Sequence, residues 1–334
     1  MLAVAGSGKT TYLINQLCEE KRTLIVTYTR HNEYHLRRKI LSKFGYLPKN
    51  ITVRTYFSFI YNFCVSPFLK LRGGIKSICY LKKLPVSSNV NKKYKRRFMS
   101  QSGYLYHNRV GQLLDTMSLF PKIIERLETY YDNFFVDEVQ DFGGHDFNVL
   151  IALSKANVNQ IFVGDFFQHT FDTSRDGNTN KNLYNDYDRY ISRFKKVGIE
   201  PDTTLLEYSW RCPQQICDFV TETLGIEISS KSERSGEVKI IESKEEWHKL
   251  FDDTSVTKLF YNKFYQYGIK EAENWGRCKG LEFENVCVVL TKNATHLLNE
   301  GRIKDLSPMS LCKLYVACTR TKNDLYIVPY HFLG

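Results

Sequence analysis

The chain has 334 residues, of which 43% are hydrophobic and 25% charged, proportions that are typical of folded globular proteins. This composition excludes a largely disordered chain and a fibre, and no apolar run approaches the roughly 20 residues that a membrane span requires. The formal net charge is +11, which favours a polyanionic partner. Nine cysteines occur in no metal-binding spacing, and this predicts reduced thiols in a cytoplasmic protein.

Apolar runs alternate with helical patterns along the chain, which predicts an α/β fold with parallel sheets. Strands are predicted at residues 2–5, 23–27, 134–137, 160–164, 204–207, 238–242, 258–261, 286–290 and 324–328. Helices are predicted to begin at Lys9, His31, Gln214, Lys244 and Ser310. The pattern divides the chain into two α/β domains, over residues 1–202 and 203–334, with a basic insertion at about 64–133 in the first.

The segment from Ala5 to Thr10, Ala-Gly-Ser-Gly-Lys-Thr, lies between the first predicted strand and the first predicted helix. Glycines in such a loop let backbone N–H groups turn toward phosphate oxygens, and the helix N-terminus adds partial positive charge. Lys9 is predicted to bind the β- and γ-phosphates of ATP, and the Thr10 hydroxyl to ligate Mg²⁺. The full motif has a glycine where this chain has Ala3. The predicted nucleotide-binding residues of the loop are Gly6, Ser7, Gly8, Lys9, Thr10 and Thr11.

A second motif, Phe134–Glu138, is an apolar strand that ends in two acids. Acids at the carboxyl end of a parallel strand face the ligand crevice of the sheet. Asp137 is suited to coordinate Mg²⁺, and Glu138 to polarise the attacking water. Phosphoryl transfer also needs a γ-phosphate sensor and arginines, for which Gln168, Arg211 and Arg320 are candidates. By residue type alone, Arg211 and Arg320 would each more often be an ordinary surface residue than a group that contacts the phosphates.

The segment from Tyr34 to Leu114 contains 17 Lys and Arg and no Asp or Glu. A charge distribution this one-sided predicts binding to nucleic acid, and a solvated cationic surface without a partner is the alternative. The run predicted to bind DNA comprises Lys92, Lys93, Lys95, Arg96 and Arg97.

The order of these motifs resembles that of the superfamily 1 DNA helicases of the UvrD/Rep/PcrA type. The resemblance extends from Ala3 to Arg320, and its most specific segments are Asp137–Asp141, Lys279–Val286 and Tyr315–Arg320. It implies two RecA-like domains that bind ATP and Mg²⁺ between them and hold single-stranded DNA across both.

The resemblance also implies roles at the nucleotide. Glu138 and Gln168 become catalytic residues, and Arg211 and Arg320 become arginine fingers. Trp210 occupies the place of an aromatic that stacks on adenine. Glu282 matches a residue that contacts the ribose.

Two further segments resemble DNA-contacting motifs of the same family. The segment Thr27-Tyr28-Thr29 makes Tyr28 a candidate for base stacking, although a ring packed in the core is the alternative. The segment that begins at Thr55 implies a contact between Thr55 and the DNA backbone.

The family carries a large accessory domain where this chain has only residues 212–278. The resemblance therefore implies a minimal ATP-dependent helicase or translocase, moving 3′ to 5′ on single-stranded or tailed duplex DNA. A nucleic-acid-stimulated ATPase that does not unwind alone, as a subunit of a repair, replication or defence complex, is a second interpretation. A catalytically silent DNA-binding scaffold is a third, and the intact catalytic positions argue against it.

Overall fold

The computed structural model describes residues 1–81, 84–171, 173–174 and 176–333, without the side chain of Arg72. Lys82 and Lys83 of the predicted basic insertion lie outside the described residues. The chain divides into two compact units, which we name by their main sheets. The four-stranded unit contains Thr10–Gly164 and Asp172–Pro201, and the five-stranded unit contains Met1–Lys9, Asp165–Phe171 and Asp202–Gly334. The predicted domain limits differ from these units at residues 1–9, 165–171 and 202, which they place in the first domain, and they stay a prediction.

The strands of the four-stranded unit are β1 Thr23–Thr27, β2 Ile51–Thr55, β3 Ser77–Cys79, β4 Tyr104–Tyr106, β5 Asn133–Val136 and β6 Asn159–Phe162. Its main sheet is parallel with the order β2-β1-β5-β6, and β3 and β4 form a separate parallel pair. Every residue of β1 is buried, as expected for a central strand that is covered on both faces. The prediction of a strand at residues 23–27 is confirmed.

The helices associated with this sheet are α1 Lys9–Asn15, α2 Arg30–Phe44, α3 Tyr56–Phe59, α4 Ser66–Gly73, α5 Val110–Thr116, α6 Phe120–Tyr130, α7 Gly144–Leu153 and α8 Tyr187–Lys195. The Thr29 side chain caps α2 by accepting from the Asn32 N–H, and Gly45 ends the helix at a φ of 78°. These are the residue types that helix ends favour. A π-helical segment, Ile60–Val65, joins α3 to α4.

The carboxyl ends of β1, β2 and β5 share one edge of the sheet. Thr27 pairs with Thr55 across β1 and β2, and the Asp137 N–H donates to the Val26 carbonyl at 2.9 Å. The residues that follow these strands are therefore neighbours, at the edge where ligands bind in open α/β sheets.

The five-stranded unit contains β7 Tyr208–Ser209, β8 Ser229–Ser230, β9 Val238–Ile240, β10 Val256–Phe260, β11 Ala272–Asn274, β12 Asn285–Val289 and β13 Leu325–Val328. The main sheet is parallel with the order β11-β10-β12-β13-β9. Its helices are α9 Gln214–Phe219, α10 Lys244–Asp252, α11 Lys292–Asn299 and α12 Pro308–Cys318, with a π-helical segment, Val220–Leu224, after α9.

Two apolar clusters lie against opposite faces of this sheet. Val286 and Val288 of β12 belong to the cluster that includes Tyr315, whereas Cys287 and Val289 belong to the cluster around Trp247. Alternation along a strand sends successive side chains to opposite faces, so the sheet is buried on both sides. The predicted fold class, α/β with parallel sheets flanked by helices, is confirmed.

Short 3₁₀ helices complete the elements, at Lys95–Arg97, His107–Arg109, Val139–Asp141, Phe166–Gln168, Phe264–Tyr267, Ile303–Asp305 and Tyr330–Phe332. No helix in the described ranges is both long and apolar enough to cross a membrane.

Two predicted strands are wrong. Residues 2–5 form no strand, because their backbone makes isolated bonds from the Leu2 N–H to the Asp202 carbonyl at 2.8 Å and from the Val4 N–H to the Leu206 carbonyl at 3.1 Å. Residues 204–207 form a turn, and the two-residue strand β7 follows them.

Candidate nucleotide and nucleic-acid sites

The phosphate-loop turn is built around Gly6, whose φ of 73° lies in the left-handed region. A Cβ at Gly6 would lie 2.6 Å from the Ser209 Oγ and 2.8 Å from the Arg211 Cβ, so only glycine fits. The Gly6 carbonyl accepts a hydrogen bond from the Trp210 N–H at 3.0 Å. The loop and the arginine predicted as a finger are therefore in contact within the five-stranded unit.

Two side chains of this loop are polar and buried. Ser7 is 3% exposed, and its Oγ has no hydrogen-bond partner among the described residues. Lys9 is 7% exposed, and its Nζ donates to the Val4 carbonyl at 3.0 Å. A buried hydroxyl without a partner costs free energy, and a phosphate oxygen would satisfy it. The loop residues therefore fit the phosphates of a nucleotide.

Thr10 and Asp137 come together in the four-stranded unit. The Thr10 Oγ1 donates to the Asp137 Oδ2 at 3.4 Å, and the Asp137 carboxylate is buried. Hydroxyl and carboxylate oxygens are the ligands that Mg²⁺ takes in proteins. This pair fits the predicted metal site.

Glu138 has an unusual backbone conformation, with a φ of 57°. A non-glycine residue in this region costs about 1–3 kcal/mol, and such strain concentrates at functional sites. Its N–H donates to the Asp137 Oδ1 at 3.0 Å, and its carboxylate accepts from the Gln140 side chain. The strained turn thus fixes the predicted base directly after the predicted metal ligand.

Gln168 belongs to a chain of buried hydrogen bonds in the five-stranded unit. Its Nε2 donates to the Asp165 Oδ2 at 2.8 Å. The Tyr315 hydroxyl donates to the same oxygen at 3.2 Å and accepts from the Ala5 N–H at 2.9 Å. Burial raises the pKa of Tyr315 well above its usual value, so the hydroxyl keeps its proton. The predicted γ-phosphate sensor is thereby connected to the backbone of the phosphate loop.

Asp165 and Tyr315 were not among the residues with a predicted role. Two signals were present: Asp165 follows directly on an apolar segment, and Tyr315 is a hydroxyl-bearing residue in the apolar helix α12. Their mutual contact joins residues that are 150 positions apart, which no local pattern indicates.

Arg211 forms an ion pair with Glu282, whose Oε1 lies 2.5 Å from the Arg211 Nη2. The Arg211 Nη1 also donates to the Thr319 carbonyl at 3.2 Å. Burial alone would raise the pKa of the Glu282 carboxyl, but the charge and hydrogen bonds of Arg211 lower it overall. The structure therefore brings together the predicted finger and the predicted ribose contact.

Arg320 is 1% exposed at the end of α12. Its Nε donates to the Val316 carbonyl at 2.9 Å and its Nη2 to the Thr319 Oγ1 at 3.2 Å. Burial and the neighbouring charge of Arg211 lower the pKa of Arg320, so the two guanidinium groups repel each other. Arg320 is buried and Arg211 is half-buried, and two neighbouring cations suit a site that receives an anion. Trp210, by contrast, is 62% exposed.

Tyr28 is half-buried at the carboxyl edge of the four-stranded sheet. Its ring stacks on Tyr56 with centroids 5.6 Å apart. Both hydroxyls donate to Asp146, at 3.1 Å from Tyr28 and 2.8 Å from Tyr56, and the Ser174 hydroxyl donates to the same carboxyl group. Complete burial raises the pKa of Asp146 to about 7, against the effect of these three donors.

Thr55 caps α3 by accepting from the Ser58 N–H at 3.3 Å. It also lines, with Tyr28, a cavity of about 410 Å³. The two residues with implied DNA contacts are therefore brought to one recess. The alternative of a core-packed ring describes Tyr28 only in part, because one side of it lines this cavity.

The predicted basic run divides into two kinds of residue. Lys92, Lys93, Lys95 and Arg96 are exposed. Arg97 is 4% exposed and forms a buried ion pair with Asp176 at 2.8 Å. Arg97 thus stabilises the interior of the four-stranded unit. Its burial does not support the predicted contact with DNA.

The fold and the phosphate-loop geometry define a nucleotide-binding α/β protein with Arg211 beside the loop. The chain matches the sequence model of the viral superfamily 1 RNA helicase core domain over residues 114–329. This match covers more than half of the chain. The chain therefore belongs to the viral superfamily 1 RNA helicase core family. The assignment to superfamily 1 is confirmed, and with it a helicase core.

One solved structure with a TM-score above 0.5 agrees on the fold. An arterivirus nonstructural protein 10 helicase in complex with DNA superposes with a TM-score of 0.51 at 15% identity, covering 98% of this chain and 60% of that chain. The helicase of PRRSV gives a TM-score of 0.49 at 16% identity, covering 99% of this chain and 52% of that chain. This chain thus spans a little over half the length of these helicases. No curated protein sequence matches it.

Proposed function

We propose that this protein is an ATP-driven motor, stimulated by single-stranded nucleic acid, that moves along the strand and unwinds duplexes. The observation that carries the proposal is the contact of the phosphate loop at Gly6 with Ser209 and Arg211. Membership of a superfamily 1 helicase family supports it.

In this proposal the phosphate loop and Lys9 bind the nucleotide phosphates, and Thr10 and Asp137 hold Mg²⁺. Bound ATP with Mg²⁺ supplies the phosphoanhydride bond whose hydrolysis drives the motor. Glu138 orients and deprotonates the attacking water, and its strained backbone fixes its direction. Gln168 senses the γ-phosphate.

Arg211 and Arg320 neutralise the negative charge that develops during phosphoryl transfer. Trp210, which is exposed, stacks on the adenine. Glu282 contacts the ribose. Because Glu282 is also the ion-pair partner of Arg211, binding of the sugar is coupled to the position of that arginine.

The kind of nucleic acid, DNA or RNA, and the direction of movement along it are the more detailed part of the proposal. The UvrD-type resemblance supports DNA and 3′-to-5′ movement, whereas the matched family is described by an RNA helicase core. Aromatic stacking accepts the bases of either nucleic acid. We therefore propose single-stranded nucleic acid as the substrate and keep DNA and 3′-to-5′ polarity as predictions, together with a cytoplasmic location.

ATP turnover without and with single-stranded DNA or RNA tests the proposal, followed by unwinding of duplexes with 3′ or 5′ tails. We expect Lys9→Ala and Glu138→Gln to abolish stimulated turnover. Glu125→Gln, which changes an exposed acid of the same unit, is the matched control and should retain it. Turnover at the control rate in either site variant would refute the assigned site.

Strand displacement separates the two active interpretations. Stimulated ATPase activity without displacement from either tail would favour an ATPase subunit that needs a protein partner from a repair, replication or defence complex. No turnover at all would favour the silent scaffold.

A further inference from the structure

The cavity beside Tyr28 is lined on one side by residues of the basic insertion. Its lining residues are Tyr28, Arg30, Thr55, Phe57, Ser58, Tyr61, Asn62, Ser77, Ile78 and Tyr80. We propose that this recess receives one unstacked base of a single-stranded nucleic acid, and that Tyr80 stacks on that base. This inference rests on the proposed function, because it names a subsite on the same strand.

Tyr80 directly follows β3 and is 62% exposed. Its ring meets Phe57 edge to face with centroids 5.2 Å apart, and the centroid of His107 lies 5.7 Å away. Phe57 in turn meets Tyr28 edge to face at 5.6 Å. The rings therefore form a continuous aromatic wall that ends in one exposed ring.

Hydrogen bonds hold two tyrosines that line the recess. The Tyr28 hydroxyl is bonded to Asp146, and the Tyr61 hydroxyl to the Lys76 carbonyl. A rigid aromatic surface loses little conformational entropy when a ligand stacks on it. Stacking on such a surface is worth about 1–3 kcal/mol per base.

The polar lining is suited to a nucleotide. No acid occurs among the described lining residues, and Arg30 is the cation. Burial raises the pKa of the Tyr80 hydroxyl, and the positive charge of Arg30 opposes that rise. Thr55, Ser58 and Asn62 add hydroxyl and amide groups that can bond a base edge or a phosphate.

The size of the recess limits the occupant. A volume of about 410 Å³ lies at the lower end of small-ligand cavities. It is large enough to hold one base with its sugar.

Binding of the full chain to labelled oligothymidylate and oligouridylate tests this inference. We expect Tyr80→Ala to weaken binding about fivefold or more, and Tyr80→Phe to bind within about twofold of wild type. Tyr130→Ala, which removes another exposed tyrosine of the same unit outside the recess, is the matched control and should bind as wild type does.

An abasic scan gives the decisive reading, because it removes one base at a time from the oligothymidylate. The wild type should lose affinity at one position, and Tyr80→Ala should show no further loss there. An unchanged affinity in Tyr80→Ala, or the same abasic loss in both proteins, would overturn the subsite and leave the motor proposal intact. Absence of binding by the wild type would overturn both.

Discussion

The five-stranded unit and the basic insertion of the four-stranded unit use positive charge in opposite ways. Arg211 and Arg320 are each fixed by hydrogen bonds to backbone carbonyls around Thr319. Lys92 and Lys93 are exposed. A fixed cation acts on one atom of a ligand, whereas an exposed cation contributes to a field that salt screens. From this difference we predict a role in chemistry for the first region and attraction of the nucleic-acid strand for the second.

The largest expected effect concerns the fixed cations. Arg211→Ala and Arg320→Ala should each lower stimulated kcat by about 10³-fold or more, because an arginine finger is worth about 10³–10⁵ in rate. Steady-state ATP turnover measures this.

Arg234→Ala is the control for both variants, because it removes a half-exposed ion pair with Glu284 in the same unit. Its kcat should be unchanged. A finger variant that keeps both its unfolding midpoint and the control's kcat would contradict the comparison.

Arg97 is the next test, because it lies in the basic insertion but is buried, as Arg320 is. Arg97→Gln should lower the free energy of unfolding by about 3–5 kcal/mol, since it leaves the buried Asp176 without one of its two arginines. Arg96→Gln changes its exposed neighbour and should have little effect. Equal stabilities in denaturant titrations would show that Arg97 behaves as a surface cation.

Asp146 gives a pH-dependent test of the four-stranded unit. Burial raises its pKa from 3.8 to about 7, so between these values the folded state holds a proton that the unfolded state has lost. Its contribution to the free energy of unfolding therefore falls as the pH rises through this window, by about 1 kcal/mol per pH unit. Asp146→Asn lacks this contribution, so the stability difference between wild type and variant should shrink with rising pH. A constant difference would contradict the assignment.

The smallest effect is expected from the exposed cations. Neutralising Lys92, Lys93, Lys95 and Arg96 together should flatten the salt dependence of single-strand binding, by about 0.7 in log–log slope for each phosphate contact removed. Affinity measured across a series of salt concentrations tests this. An unaltered slope would show that these side chains do not meet the strand.

Local sequence predicted much of the fold. The strand at residues 23–27 was predicted correctly, because a buried central strand is a continuous apolar run. The start of α1 at Lys9 was also correct. The strand Ile51–Thr55 was missed, because only Ile51 and Val53 are buried in it. Residues 2–5 look like a strand by composition, but Leu2 and Val4 donate their backbone hydrogen bonds to Asp202 and Leu206, which belong to no strand.

The candidate sites also divide into features that local sequence predicts and features that depend on distant contacts. The phosphate loop and the acids after β5 are local motifs and could be named from their residue types. Which of the basic residues is buried, and which tyrosines share Asp146, depends on contacts between distant segments. Tyr56 and Asp146 are 90 positions apart. Such pairs follow from the packing of the sheet and leave no periodic pattern in the sequence.

The bridge from Asp165 through Tyr315 to Ala5 has a consequence for how the phosphate loop meets its ligand. A phenol has one hydrogen, which here goes to the carboxylate, so its lone pair receives the Ala5 amide. The first peptide plane of the loop is thereby oriented in advance. A preorganised loop loses little freedom on association, so nucleotide capture should proceed with little induced fit.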